Sequence, residues 1–155
     1  MGEKWASVIY NVDKTIFIAG FSESMLNQRR MVLITPPFAE HETGFELWLG
    51  KVFSLSVELS TGVVHYGDCG TRDAISEYLK GGSVGSNYRY AGSCEREDYF
   101  SFSEDIQEDD LIVLVSARKN TLSYSPVLDG MPGKLDHHFQ SNNKLIIFPK
   151  QAREG

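Results

Sequence analysis

At 155 residues, with 41% apolar and 12% aromatic side chains, the chain has material for one sizeable core and reads as a single domain of ordinary size. A formal net charge of -6 and a pI near 5.2 argue against a nucleic-acid groove or an anionic-membrane face, since both need a positive field at the contact. No apolar run approaches the ~20 residues that cross a bilayer. The two cysteines, Cys69 and Cys94, accompany nothing that resembles a secretory leader, so reduced cytoplasmic thiols are expected over a disulfide.

In chain order, Val8 to Tyr10 and Thr15 to Phe21 read as short extended segments, a hairpin or a sheet edge, with turn residues 11 to 14 between them. Phe21 to Gln28 is a polar connection. Met31 to Thr35 is an apolar run without polar alternation, which suits a strand covered on both faces, and Pro36 and Pro37 forbid its continuation. From Gly44 to Leu59 apolar residues fall at helical spacing over a face wide enough to demand burial against a sheet. Val63 to Tyr66 is the next strand; Arg72 to Lys80 is a short helix with Thr71 as its N-cap. Asn87 to Ser93 reads as an edge strand, Glu95 to Gln107 as an acidic loop with a short helix, and Leu111 to Ser116 as the central strand. Arg118 to Gly133 is expected to be a long loop, Lys134 to Gln140 a helix, and Lys144 to Phe148 the last strand. The alternation favours a mostly parallel, doubly wound five-stranded α/β sheet with helices on both faces. The segments are 1–28, an N-terminal extended segment or hairpin; 29–150, the α/β domain; and 151–155, a tail.

Chemistry is sparse in this pattern. GGSVGS at 81 to 86 looks like a phosphate cradle, but it precedes a strand, whereas a cradle must open a helix so that its N–H groups face the anion. Gly130 to Lys134, GMPGK, is better placed, after the central strand and before a helix, although Pro132 supplies no donor. Arg118 and Lys119 are the basic pair at the edge where such folds bind ligands. With Thr35, Gly130 and Gly133 they make up the candidate site for a small anion or nucleotide. His41, His65, His137 and His138 lack metal-ligand spacing and read as solvated or capping histidines. Cys69 and Cys94 lie in loops after strands, an address that nucleophiles use, but no motif ties a base to either. The carboxylates Glu40, Glu42, Glu104, Asp105, Glu108, Asp109 and Asp110 occur in runs and read as solvated faces. No catalytic residue, metal or cofactor is expected.

Two resemblances add to this. From Met31 to Phe148 the element order resembles the universal stress protein fold, a five-stranded parallel sheet with a Gly-rich nucleotide loop after its fourth strand. The chain departs from the nucleotide-binding branch: Thr35, Pro36 and Pro37 stand where that branch carries an Asp, and the Gly-Ser that should follow Gly130 and Gly133 is Asn143 and Lys144. SMLNQRRMVLITPPFAEHETGFELWL, through Leu26, Asn27, Arg30, Pro36, Ala39, Glu40, Glu42, Gly44, Phe45 and Trp48, resembles the cytoplasmic tail of sodium/proton antiporters of the monovalent cation:proton antiporter-2 type. SARKNTLSYSPVLDGMPGKLDHHFQSNNKLIIFPKQ resembles that tail's second block, through Arg118, Ser123, Tyr124, Pro126, Pro132, Leu135 and Phe139 to Pro149. The resemblance implies a non-catalytic regulatory or assembly domain on the cytoplasmic side of the inner membrane. Its implied partners are the transmembrane transporter domain of a longer parent protein and a second copy of itself, and no nucleic acid. The abrupt Met-Gly opening fits a piece of such a protein. The alternative is a stand-alone nucleotide-binding protein of stress-protein type.

Overall fold

The computed structural model describes residues 14–20, 28–81, 87–92 and 105–151. Six strands form one sheet: β1 (Ile16–Gly20), β2 (Arg30–Ile34), β3 (Gly62–Tyr66), β4 (Tyr88–Tyr90), β5 (Asp110–Val115) and β6 (Lys144–Phe148), in the order β1-β6-β5-β2-β3-β4. β2 to β6 are mutually parallel, and β1 is antiparallel to β6 with Ile16 opposite Phe148. The sheet is therefore mixed and six-stranded. The expected five parallel strands are there; the sixth comes from the N-terminal segment, of which residues 1–13 lie outside the description.

Among the described residues three α-helices cover the sheet: α1 (Phe45–Glu58), α2 (Cys69–Gly81) and α3 (Val127–His138). Alternation along the strands divides the core into two layers. Met31, Leu33, Val63, Leu111, Val113 and Ile147 face Trp48, Leu49, Val52 and Phe53 of α1 and Ile75 of α2. Val32, Ile34, Val64, Ile112, Leu114, Ile146 and Phe148 face Leu128, Met131 and Leu135 of α3, with Ile16 and Ile18 of β1 packed alongside. The wide apolar face of α1 is thus what fills one layer. Each fully buried Leu, Val or Phe there contributes about 1.5–3 kcal/mol.

Two helix starts differ from the sequence reading. α2 begins at Cys69, and Asp68, not Thr71, does the capping: Asp68 Oδ1 accepts the Thr71 N–H at 3.0 Å. α3 begins at Val127 and absorbs Gly130, Pro132 and Gly133, where a loop was expected. Leu128, Met131 and Leu135 form a stripe at helical spacing, and its burial outweighs the poor helix propensity of two glycines and a proline. Residues 82–86, with most of GGSVGS, and 93–104 lie outside the described residues.

Candidate functional site

β2, β3 and β4 run outward from β2 in one direction, and β5 and β6 in the other, so the order reverses between β2 and β5. Open α/β sheets bind ligands beyond the carboxyl ends of such strands. Pro36 and Pro37 end β2 there, and Phe38 follows with φ 67, a left-handed conformation rare for a bulky side chain. It leads into a single 3-10 turn, Ala39–His41. That turn delivers Glu40 to the first turn of α2.

The centre of this edge is His65. It sits in β3 between Val64 and Tyr66 and is fully buried, which corrects the reading of it as a solvated or capping histidine. A polar ring inside a covered strand must find partners on the neighbouring strands. Thr35 Oγ1 lies 2.8 Å from Nε2, and the Tyr88 hydroxyl lies 2.8 Å from Nδ1. Thr35, His65 and Tyr88 therefore form one hydrogen-bonded chain across three strands. Burial lowers the His65 pKa from 6.5 to about 3, so the ring is neutral at physiological pH. Burial likewise raises the Tyr88 phenol above its ordinary value, with the neighbouring Tyr90 adding to it.

Beside this chain the backbone is tight. Tyr90 donates its hydroxyl to the Gly67 carbonyl at 2.7 Å, and Arg72 lies over the Tyr90 ring at 5.3 Å. A Cβ on Gly67 would fall 2.2 Å from Thr35 Oγ1, and one on Gly92 would fall 2.5 Å from the Gly67 oxygen, so both positions need glycine. At the start of α2 the Thr71 hydroxyl is 3.0 Å from both Glu40 Oε2 and Asp68 Oδ1. Glu40 Oε1 is the nearest atom to a Cβ built on Gly70, at 2.9 Å. The protein's own carboxylates therefore occupy the place over the first turn of α2 that an anion would take.

The residues singled out from the sequence do not converge. Thr35 is at the expected edge, but its hydroxyl is turned inward to His65. Arg118 is buried, with its guanidinium donating to the backbone oxygens of Pro149 and, at 2.5 Å, Lys14. Its backbone N–H donates to Gln151 Oε1 at 2.8 Å, and Gln151 in turn donates to Ser123 Oγ. The anion-holding role given to Arg118 is thus corrected: after β5 the chain turns back against the end of β6, and the guanidinium serves backbone oxygens there. Lys119 is exposed. Gly130 and Gly133 lie on the exposed side of α3 with nothing within 4 Å of a built Cβ, so they form no cradle.

Cys69 is disulfide-bonded, and Cys94 is the other cysteine of the sequence, so the expected free thiols and any thiol nucleophile are overturned. Among the described residues, no three His, Cys, Asp or Glu side chains converge on a metal position, and no helix is long and apolar enough to cross a membrane.

Sequence reasoning missed the roles of His65, Tyr88 and Tyr90. The available signal was a histidine inside an otherwise apolar strand, followed by a Tyr-x-Tyr on a strand read as a sheet edge. No protein-family model, no curated protein and no solved structure matches the chain.

Proposed function

We propose that this chain is a regulatory or assembly domain of a sodium or other cation/proton antiporter, with a fold of the doubly wound, stress-protein-like kind, and that it performs no chemistry of its own. The antiporter assignment is supported by the residue pattern through Arg30, Pro36, Glu40, Gly44 and Trp48 and the second block from Arg118 to Pro149. The observation that carries the absence of chemistry is the closure of the carboxyl edge by internal bonds. His65 is bonded on both ring nitrogens, Arg118 serves backbone oxygens, and Glu40 covers the start of α2. A transporter would couple to such a domain through differential contacts in its open and closed states. Among the described residues the outer side of β1 is a sheet edge with Phe17 exposed, a place for a second copy to pair.

The decisive experiment compares cation/proton exchange by the parent transporter with and without residues 29–150. A shifted pH response or turnover in the truncated transporter is expected; unchanged transport, pH response and expression would remove the regulatory reading. The rival, a nucleotide-binding protein acting alone, requires ATP or AMP to stabilise the chain by about 3 kcal/mol at a hundredfold excess over Kd. No change in melting temperature with either nucleotide is expected.

A further inference from the structure

We propose that the corner where β1, β5 and β6 meet, at the carboxyl end of β6, is a docking site for an acidic peptide segment. Its contact groups are Lys14, Lys119 and Lys150, which the buried Arg118 gathers into one place. This goes beyond the transporter reading and does not rest on it.

Arg118 reaches all three lysine-bearing segments. Its guanidinium donates to the Lys14 carbonyl at 2.5 Å and to the Pro149 carbonyl beside Lys150, and Lys119 is the residue after it. Lys150 N–H in turn donates to Thr15 Oγ1 at 2.8 Å, and the Lys150 carbonyl accepts the Gly44 N–H before α1 at 2.7 Å. Lys14 and Lys150 stand two positions beyond the Ile16–Phe148 pair, on facing chains of the antiparallel ladder. Like charges opposed in this way repel. Arg118 is buried and so only positions the corner, whereas the three lysines are exposed and free to meet a ligand.

Repulsion held in place calls for a counter-charge from outside. Among the described residues none of the three lysines forms an ion pair, not even with Glu46 in the first turn of the adjoining α1. At the opposite end of the strands the basic residues are matched: Arg29 lies 3.4 Å from Asp109, Arg30 3.0 Å from Asp110 and Lys144 3.6 Å from Asp136. The chain as a whole carries -6, so its field repels an extended anionic surface such as a membrane. A short peptide senses mainly what lies within about 8 Å, the screening length at physiological ionic strength, and at this corner that is lysine. Leu122, three residues after Lys119 in the same loop, is 43% exposed and offers an aliphatic contact. The ligand that fits is an extended segment with several Asp or Glu around an aliphatic residue.

Fluorescence anisotropy of a labelled oligoglutamate with a central leucine, titrated with the full-length chain, tests this. Binding is expected, and it should weaken as salt is raised. Lys14→Gln/Lys119→Gln/Lys150→Gln should weaken it about tenfold, since each exposed ion pair contributes a factor of about two to three. Lys51→Gln/Lys80→Gln/Arg89→Gln removes the same charge from exposed positions elsewhere and should leave the affinity nearly unchanged. Circular dichroism checks that both variants are folded. Lys119→Gln alone, a change in an exposed loop, should still weaken binding about twofold. The proposal is overturned if the peptide does not bind, if the two triple variants lose affinity alike, or if the corner lysines can be replaced without loss. Vesicles of phosphatidylserine and phosphatidylcholine should not bind; vesicles held more tightly than the peptide through the same lysines would overturn it in favour of a membrane contact.

Discussion

The two edges of the sheet are pinned by different chemistry. At the β1 edge a buried guanidinium, Arg118, ties the backbone before β1 to the end of β6, and Lys150 N–H adds a 2.8 Å bond to Thr15 Oγ1. At the β4 edge Tyr88 is bonded to a neutral histidine, His65. Arginine keeps its charge at every physiological pH. An imidazole takes up a proton when the pH falls far enough. The β1 edge thus rests on a permanent charge, and the β4 edge on a ring whose charge answers to pH only well below neutrality.

Removing the fixed pin should cost most. Arg118→Ala leaves the Pro149 and Lys14 oxygens without their charged donor, and hydrogen bonds to charged groups contribute about 1.5–3 kcal/mol each, so a loss of about 3–6 kcal/mol is expected in urea unfolding. Arg118→Lys keeps the charge but loses the fork and should recover only part of that loss. A variant as stable as the native chain would show that β1 is held by its ladder alone.

The responsive edge should reveal itself through pH. The unfolded imidazole binds its proton near 6.5 and the folded one only near 3, so the unfolded state holds more protons between those values. His65's contribution is complete above pH 6.5 and is lost as pH falls toward 3, with about 2 kcal/mol gone at pH 5. Unfolding free energies at pH 7.5 and 5, compared with His65→Gln, isolate this loss. An identical slope in the variant would place the titration elsewhere.

Gly92→Ala probes the same edge without touching charge. The added methyl meets the Gly67 oxygen at 2.5 Å and its nitrogen at 2.9 Å, both backbone atoms that cannot swing aside. Overpacking of this kind costs about 1–3 kcal/mol, to be read as a lower melting temperature. The smallest effect has the opposite sign. Gly130→Ala puts a methyl into open space within α3 and should stabilise by about 0.5–1 kcal/mol, because alanine is the better helix former. Destabilisation there would return Gly130 to a role that only glycine can fill.

Much of the architecture was legible in the chain. Arg30–Ile34, Asp110–Val115 and Lys144–Phe148 are strands because uninterrupted apolar runs bounded by Pro or charge leave few other options, and the breadth of the α1 face foretold its burial. The candidate site was hardly legible. Arg118 and Lys119 are adjacent, basic and at the ligand edge, yet one points inward and the other to solvent, a choice made by the return of the chain beside β6. Gly130 and Gly133 look like a loop until the Leu128, Met131 and Leu135 stripe finds a sheet to cover.

By itself, then, the sequence determined which segments are buried strands and helices, because hydrophobic periodicity is a local property of the chain. Its net charge also argued against a nucleic-acid groove, and its apolar runs are too short to span a bilayer. Only the tertiary structure decided that His65 would be neutral and bonded to Thr35 and Tyr88, and that Cys69 would be bridged. It also decided that the N-terminal segment would supply the sixth strand. Each of these depends on which strands become neighbours, and residues far apart in sequence meet only when β2, β3 and β4 pair in register.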